Sequence, residues 1–235
     1  MTARFGLVIF DCDGTLVDSL DGIARAARLA LEELGMPRAF THARIAQVVG
    51  LSLDEAMEAL LPECDREVRQ RAVLGYKRHY LDLVERKALH APLFPGVRET
   101  LLALRGADVA LAIATGKSMR GLERTLQEHD LADFFQVLMT ADQAPSKPHP
   151  AMVETILRAT GFSASQTLMV GDTLYDLEMG RNAGVKIAAV TYGCHPREQL
   201  ARAQPDHWLD DLTELLPLMG VSVSGDQGGI SCGSC

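Results

Sequence analysis

Two acidic residues follow an apolar run in the stretch Leu7-Val8-Ile9-Phe10-Asp11-Cys12-Asp13-Gly14-Thr15-Leu16. The apolar run predicts a buried β-strand, with Asp11 and Asp13 at its carboxyl end. A buried carboxylate is costly unless it has a partner or a metal, so this acid pair is a candidate functional site. Two such residues suit a carboxylate nucleophile beside an acid/base, a site for a hard cation, or both together.

The composition is that of an ordinary globular protein with an acidic balance. The chain has 235 residues, 47% of them hydrophobic, and a formal net charge of −8. An acidic chain does not favour a nucleic-acid-binding or membrane-binding surface, for which a basic face is expected. No apolar stretch approaches the roughly 18–20 residues that span a bilayer, and the amino terminus lacks the pattern of a signal peptide. We therefore expect a cytoplasmic protein with no nucleic-acid or membrane partner.

The five cysteines do not indicate a disulfide framework, because their number is odd and the chain is long. Two of them, Cys232 and Cys235, form a Cys-x-x-Cys motif in a terminal segment rich in glycine and serine. A metal or redox site requires partners and a packed environment, and this segment shows neither. We expect residues 221–235 to form a disordered tail.

Short apolar segments that alternate with helical patterns indicate the fold class. Four of them predict buried strands after the first one, and a fifth predicts an edge strand: residues 109–114, 136–139, 167–170, 186–190 and 207–209. This alternation predicts an α/β fold, in which helices flank both faces of a parallel sheet. Residues 18–90 interrupt the pattern with amphipathic helical stretches and no convincing strand. We expect an all-helical insertion between the first strand and the rest of the sheet.

Polar residues follow the first, second and fourth predicted strands. The second strand ends in Thr115-Gly116-Lys117, and the fourth ends in Gly171-Asp172-Thr173-Leu174-Tyr175-Asp176. Lys147 lies in the loop before the helix that leads to the fourth strand. Ligands of open parallel sheets bind outside the carboxyl ends of the strands. We therefore expect these residues to share one rim with Asp11 and Asp13.

The acid pair suits phosphoryl transfer. That reaction requires an in-line nucleophile, a proton for the leaving oxygen and positive charge around the phosphate. Asp11 can attack phosphorus to give an aspartyl-phosphate. Asp13 can protonate the leaving alcohol and later deprotonate the water that cleaves the intermediate. Gly14 permits a sharp turn where the chain comes close to the phosphate.

The other strand-end residues suit the charge of the phosphate. Asp172, with Asp11 and Asp176, offers the oxygen ligands that Mg²⁺ prefers. Lys147 can neutralise the nucleophile and the phosphate, and Thr115 can donate to a phosphate oxygen. Each residue taken singly has a structural explanation, such as a turn, a helix cap or a solvated lysine. Their joint occurrence at strand ends, in one consistent order, favours the functional interpretation.

In these motifs the chain resembles the haloacid dehalogenase superfamily of phosphohydrolases, in particular its phosphoglycolate-phosphatase-like branch with a helical cap. The resemblance covers residues 5 to about 218. It implies a Rossmann-like core domain made of residues 1–15 and 91–220. The inserted residues 16–90 would form an all-helical cap domain that closes over the site and selects the substrate. The hinges would lie near residues 16–20 and 88–95.

The resemblance also implies residue roles. Asp11 would be the nucleophile and Asp13 the general acid/base, with Thr115 and Lys147 completing the catalytic set. The metal site for Mg²⁺ would consist of Asp11, Asp172, Asp176 and the backbone carbonyl of Asp13. Substrate binding would fall to Thr115, Gly116, Lys117 and Lys147.

Two features of the sequence bear on the branch and the substrate. The dehalogenases of the superfamily lack an acid at the position of Asp13, because a halide leaves without a proton, so phosphate-ester cleavage is favoured. Thr115-Gly116-Lys117 departs from the Thr-Asn-Lys of many phosphoglycolate phosphatases. In the loop Val49-Gly50-Leu51-Ser52, no residue indicates a site for the glycolate carboxylate.

The leading hypothesis is a Mg²⁺-dependent phosphatase that acts on a small phosphorylated metabolite, such as 2-phosphoglycolate, through an aspartyl-phosphate. We expect it to be a monomer or a homodimer. A phosphosugar mutase would share the intermediate but return the phosphoryl group to a sugar, and the sequence leaves this alternative open. A non-catalytic binding protein of the same fold would be indicated by the loss of an essential group, and none is lost.

Overall fold

A six-stranded parallel sheet forms the centre of the molecule in a computed structural model, which describes residues 5–36 and 40–221. The strands are β1 (Leu7–Phe10), β2 (Ala110–Thr115), β3 (Val137–Thr140), β4 (Thr167–Gly171), β5 (Lys186–Val190) and β6 (His207–Leu209). Their order across the sheet is β3-β2-β1-β4-β5-β6, and every neighbouring pair is parallel. The predicted α/β class with a parallel sheet is confirmed.

The strands are mostly apolar because both faces of the sheet are covered. Successive side chains of a strand point to opposite faces. In β1, Val8 and Phe10 therefore join one apolar cluster, while Leu7 and Ile9 join the cluster on the other face. All four residues are fully buried. A parallel strand buried on both sides reads as a continuous apolar run, which is the pattern seen in the sequence.

Helices and short 3₁₀ turns connect the strands of the sheet and follow the last of them. The α-helices are α5 (Val97–Gly106), α6 (Met119–Glu128), α7 (Ala151–Thr160), α8 (Leu174–Asn182), α9 (Arg197–Leu200) and α10 (Leu215–Met219). The 3₁₀ turns are Ala132–Phe134, Ala164–Gln166, Ala201–Ala203 and Leu212–Glu214. Together with the strand order, these crossovers place β1 at the middle of the sheet between β2 and β4. The carboxyl ends of these three strands therefore lie side by side.

The inserted segment, residues 16–90, is helical and has an apolar cluster of its own; we call it the cap. Its helices are α1 (Leu20–Glu33), α2 (His42–Ala46), α3 (Leu53–Leu60) and α4 (Arg66–Glu85). Helices α1 and α4 pack closely, since a Cβ built at Gly75 would lie 3.2 Å from the Cβ of Ala30. The prediction of inserted helices is confirmed, although the five-residue α2 was not predicted. A helix that short shows no clear apolar period. Its N-cap is Thr41, whose side chain accepts from the Arg44 N–H.

Two connecting segments of the chain join the cap to the sheet and run beside each other. The backbone N–H of Asp18 donates to the carbonyl of Pro92 (2.8 Å), and that of Phe94 donates to the carbonyl of Leu16 (3.0 Å). These bonds lie in the two segments in which the hinges are predicted, and hinging itself stays a prediction. The Cys232/Cys235 motif lies outside the described residues. Across residues 5–36 and 40–221, every helix falls short of the length and apolar character that crossing a bilayer demands.

Candidate active site at the carboxyl ends of the central strands

The parallel register brings the predicted acidic residues to one rim. Asp11 follows β1 directly, and its backbone N–H donates to the carbonyl of Val170 in β4 (3.0 Å). Asp172 follows β4, and Thr115 is the last residue of β2. Since β1 pairs with both strands, the side chains of Asp11, Thr115 and Asp172 all originate at adjacent strand ends.

Lys147 lies at the centre of the site between two carboxylates. Its Nζ is 2.6 Å from Oδ1 of Asp11 and 2.6 Å from Oδ1 of Asp176, and all three residues are fully buried. The other oxygen of Asp176 accepts from the hydroxyl (2.6 Å) and the backbone N–H (3.0 Å) of Thr173. Among the ion pairs of the described residues, Lys147 is the only cation that contacts two of the predicted acids.

Asp172 is held by donors on both of its oxygens. Oδ1 accepts from the hydroxyl of Thr15 (2.8 Å), and Oδ2 accepts from the backbone N–H of Cys194 (2.8 Å). Glycine allows the chain to approach this carboxylate from two sides. A Cβ built at Gly14, where φ is +87°, would lie 2.1 Å from Oδ2, and one built at Gly193 would lie 2.2 Å from the Asp172 Cβ.

The buried centre carries more negative than positive charge. One carboxylate oxygen from each of Asp11, Asp172 and Asp176 lies within 4.8 Å of the other two, and Lys147 binds Asp11 and Asp176. Oδ2 of Asp11 is buried and has no hydrogen-bond partner. A buried acceptor without a donor is unfavourable, and so is an excess of buried charge. Three oxygen ligands with an excess of two negative charges fit a divalent hard cation such as Mg²⁺.

The pKa values of two of these acids reflect the same imbalance. Burial raises the pKa of Asp11 to about 7, with Lys147 acting in the opposite direction and Asp176 adding to the rise. Burial also raises the pKa of Asp172 to about 8, and the neighbouring carboxylates of Asp176 and Asp11 add to it. Burial alone would lower the pKa of Lys147, but the two carboxylates that it contacts raise it, so the ammonium is retained. Positive charge placed here would favour the ionised acids.

Asp13 is separate from the buried cluster. Lys117 Nζ binds both of its oxygens, at 2.6 Å and 2.9 Å, and the hydroxyl of Ser19 donates to the same carboxylate. The Asp13 side chain therefore does not belong to the three-carboxylate group. A metal-binding role for its backbone carbonyl stays a prediction. Lys117, which the resemblance assigns to substrate binding, lies on Asp13 in this structure.

The loop between α2 and α3 of the cap contacts the core at this rim. The backbone N–H of Ser52 donates to the hydroxyl of Ser146 (2.8 Å), and the hydroxyl of Tyr175 donates to the carbonyl of Gln47 (3.0 Å). A Cβ built at Gly116 would lie 2.4 Å from the carbonyl oxygen of Leu51. The glycine that departs from the family pattern is thus the residue that lets the cap loop approach β2.

A histidine of the core completes this contact between the core and the cap. The backbone N–H of Leu174 donates to Nδ1 of His195 (3.0 Å). Nε2 therefore carries the proton, and it donates to the carbonyl of Gln47 (3.3 Å). Burial lowers the pKa of His195, in agreement with this neutral form.

A cavity of about 430 Å³ separates the cap from the strand ends. Its core side includes Asp11, Asp13, Thr115, Gly116 and Lys117. The Thr115 hydroxyl is buried and accepts a long hydrogen bond from the backbone N–H of Lys117 (3.4 Å). Lys147, Asp172 and Asp176 lie beneath this surface and do not line the cavity. The structure brings all predicted site residues together, and their roles in the reaction stay predictions.

Several contacts of the site were missed by the sequence reasoning. The hydroxyls of Ser19, Thr15 and Thr173 each bind one of the acids, and the backbone of Cys194 binds Asp172. Thr15 and Thr173 belong to the quoted motifs, so their positions next to the acids could have indicated these contacts. Ser19 precedes the first cap helix and reads as an ordinary N-cap. The contact of Cys194 uses its backbone N–H, which every residue except proline has, so the amino-acid sequence does not indicate it.

Comparisons with known proteins show which family and fold this chain resembles. The family model of haloacid dehalogenase-like hydrolases matches residues 8–190. A relative from Dickeya dadantii (strain 3937), named "Probable phosphatase IndB", is 37% identical over 89% of this chain and 91% of its own. The phosphoglycolate phosphatase of Vibrio cholerae serotype O1 (strain ATCC 39315 / El Tor Inaba N16961) is 35% identical over 92% of this chain and 97% of its own. A crystal structure described as a predicted phosphoglycolate phosphatase from Haemophilus somnus 129pt has a TM-score of 0.83 at 25% identity and covers 93% of this chain and 99% of its own.

Proposed function

The chain belongs to the haloacid dehalogenase-like hydrolase family and is a phosphatase of that family, and on this premise we propose that it cleaves a phosphomonoester through an aspartyl-phosphate on Asp11. The observation that carries the proposal is the placement of Asp11. Its carboxylate lines the cavity, Lys147 binds one of its oxygens, and the other oxygen has no hydrogen-bond partner. A carboxylate fixed and partly desolvated in this way is poised for attack on phosphorus.

The first half of the reaction moves the phosphoryl group to the protein. A carboxylate oxygen of Asp11 forms a bond to phosphorus while the bond from phosphorus to the alcohol oxygen breaks. Asp13 enters this step in its protonated form and gives that proton to the departing alkoxide oxygen, which leaves Asp13 as a carboxylate. The Lys117 ammonium and the Ser19 hydroxyl hold the Asp13 carboxylate toward the cavity, so that its orientation does not depend on the substrate.

The second half returns Asp11 to its starting state. Asp13, now a carboxylate, takes a proton from a water molecule whose oxygen attacks phosphorus. The bond between phosphorus and Asp11 breaks, and inorganic phosphate leaves. Lys147 contacts Asp11 throughout and balances the charge that develops on its oxygens.

We propose Mg²⁺ as the cofactor, held by Asp11, Asp172 and Asp176 with the backbone carbonyl of Asp13. Bound there, the ion supplies positive charge to the phosphoryl oxygens. The support for this proposal is the unpartnered oxygen of Asp11 and the excess of buried carboxylates over ammonium groups. The donors on Asp172 from Thr15 and Cys194 fix its orientation, as supporting hydrogen bonds do for metal ligands.

The proposed substrate is a small phosphorylated metabolite, with 2-phosphoglycolate or a similar phosphomonoester as the first candidate. The relative from Vibrio cholerae and the structure from Haemophilus somnus carry the name phosphoglycolate phosphatase. We propose a cytoplasmic location and a monomer or homodimer. The free thiols of Cys12, Cys64 and Cys194 are consistent with a reducing compartment.

The test is phosphate release from a panel of phosphorylated metabolites, measured with Mg²⁺ and after chelation. The panel contains 2-phosphoglycolate, sugar phosphates, nucleotides and pyrophosphate. We expect release from at least one phosphomonoester that chelation abolishes and Mg²⁺ restores. Absence of release from every ester by folded, metal-loaded protein would contradict the proposal and favour the mutase or the binding protein. Release that persists after chelation would contradict the cofactor alone.

A further inference from the structure

The cap side of the cavity is apolar. Its lining includes the aliphatic side chains of α1, α2, α3 and the loop that follows α2, among them Ile23, Ile45, Val48, Val49, Met57 and Leu60. Within this cap lining, as far as the chain is described, Lys77 is the one cation and Asp54 the one acid. The arginines of the cavity lining, Arg120 and Arg124, belong to the core helix α6, so a glycolate carboxylate bound against the aliphatic part of the cap would lose its hydration without an arginine of the cap to replace it. Apolar groups of a substrate would instead be buried favourably.

Two aromatic rings form one wall of the same cavity. Tyr76 and Tyr80 are one turn apart on α4, and their ring centroids lie 5.7 Å apart with planes inclined at 25°. The Arg124 guanidinium lies 5.3 Å from the centroid of the Tyr80 ring, on the side of the core helix α6. All three residues line the cavity together with Asp11 and Asp13. Aromatic and guanidinium planes of this kind favour contact with another planar ring.

The volume of the cavity exceeds what a two-carbon alcohol requires. At about 430 Å³ it falls within the range of roughly 300–1,000 Å³ that is typical of sites for drug-sized ligands. The cavity is continuous from the catalytic acids to the tyrosines, because Asp11, Asp13, Tyr76 and Tyr80 all contribute to its lining. A leaving group attached to the phosphate would extend into it.

We propose that the preferred substrate is a phosphomonoester whose alcohol portion carries a planar aromatic or heteroaromatic ring, bound in the cap against Tyr76 and Tyr80. The inference rests on the proposed function and specifies its substrate class. The phosphate lies at Asp11, and the ring contacts the tyrosines and the aliphatic residues of the cap. A simple arylalkyl alcohol and a nucleoside both present such a ring and would make the same contacts, and the assay separates these two sources.

The first experiment compares phosphate esters of primary alcohols, so that the bond being broken stays the same. Ethyl phosphate lacks the ring, benzyl phosphate carries it, and cyclohexylmethyl phosphate replaces it with a saturated ring of similar size. We expect kcat/KM for benzyl phosphate to exceed that for ethyl phosphate by at least about tenfold. Benzyl phosphate should exceed cyclohexylmethyl phosphate by roughly two- to tenfold, because stacking adds to apolar burial. Nucleoside 5′-monophosphates and 2-phosphoglycolate complete the series.

The second experiment changes the cavity and leaves the catalytic residues alone. Ala56 is half-buried on α3 and lines the cavity, so Ala56→Phe fills the space proposed for the ring. We expect a loss of at least about tenfold in kcat/KM for benzyl phosphate and a change within twofold for ethyl phosphate. Tyr80→Leu keeps an apolar side chain and should reduce the preference for benzyl over cyclohexylmethyl phosphate. The matched control is Leu74→Ala on the same helix, where Leu74 is exposed and lies outside the cavity lining.

The outcomes separate this inference from the proposed function. Equal kcat/KM for ethyl and benzyl phosphate, or an equal loss for both in Ala56→Phe, would overturn the ring-binding proposal while phosphate release continued to support the phosphatase. A preference for 2-phosphoglycolate over every ring-bearing ester would overturn it in the same way. Absence of release from all esters would overturn the proposed function and this inference together.

Discussion

The core and the cap line one cavity with opposite chemistry. On the core side, Asp11, Asp13 and Lys117 present charges that hydrogen bonds and ion pairs hold in place. On the cap side, four helices present aliphatic and aromatic side chains that are largely uncharged. Fixed charges suit the chemistry of the phosphate, which is common to all phosphomonoesters, whereas an apolar surface discriminates among leaving groups. Changes in the core should therefore affect all substrates alike, and changes in the cap should reorder them.

The largest expected effect is that of Asp11→Asn. The substitution keeps the shape of the side chain and removes the nucleophile, so we expect kcat to fall at least about a thousandfold for every substrate. The melting temperature should not fall, because one of three crowded buried carboxylates loses its charge. The control is Asp133→Asn, an exposed aspartate in the 3₁₀ turn after α6. Substantial turnover by pure Asp11→Asn protein would show that the core chemistry has been assigned to the wrong residue.

A second test addresses the stability of the core. Lys147→Met removes the cation between Asp11 and Asp176 and leaves two buried carboxylates without it, so we expect a loss of about 3–5 kcal/mol in the free energy of unfolding. The matched control is Lys186→Met, which removes a surface pair with Asp206 and should cost no more than about 1 kcal/mol. Urea unfolding of both variants measures the difference. A loss in Lys147→Met no larger than in the control would refute the account of the buried centre.

The contact between the two regions is tested at Gly116. A side chain there would meet the carbonyl oxygens of Gly50 and Leu51 and push the cap loop away from β2. We expect Gly116→Ala to lower kcat/KM by roughly 10- to 100-fold through misplacement of the cap. Gly106→Ala is the control, because a Cβ at this position of α5 meets nothing within 4 Å. Equal activities of the two variants would mean that closeness of the cap loop to β2 is not required.

The smallest effects are expected from single hydrogen bonds between the regions. Ser146→Ala removes the acceptor of the Ser52 N–H, and Tyr175→Phe removes the donor to Gln47. If the cap closes over the site as predicted, we expect each bond to contribute about 1 kcal/mol to the closed form, so that its removal raises KM roughly fivefold. The control is Ser165→Ala, at an exposed serine outside the cap. If both variants matched the control in KM across the ester series, these bonds would not contribute to closure.

Much of the core could be predicted from the sequence, because each element carries its own signal. The apolar runs that become β1, β4 and β5 are continuous, and the polar residues after β1, β2 and β4 stand at fixed places in short motifs. Once the sheet is parallel, geometry brings these strand ends together. That is why local sequence placed Asp11, Thr115 and Asp172 on one rim.

The contacts that define the site in detail depend on long-range packing. Lys147 reaches Asp11 from 136 residues away, and Lys117 reaches Asp13 from 104 residues away. The chemistry of the motifs led us to expect Lys147 beside the nucleophile Asp11, whereas the pairing of Lys117 with Asp13 has no local pattern. The substrate-binding role of Lys117 stays a prediction, and the lysine lines the cavity. The aromatic wall of the cap was missed for the same reason. Tyr76 and Tyr80 share a helix face by their spacing, but only the packing of the cap decides that this face borders the cavity.

The most direct test of the division between core and cap is to trap the phosphoryl group on the protein. Wild type and Asp11→Asn are mixed with the phosphate-labelled ester that the panel shows to be turned over fastest, quenched with acid before steady state and digested to peptides. The account predicts label on the wild-type peptide that contains Asp11 and no label on Asp11→Asn, whichever substrate and whichever cap variant is used. Label on a different peptide, or label on Asp11→Asn, would contradict it.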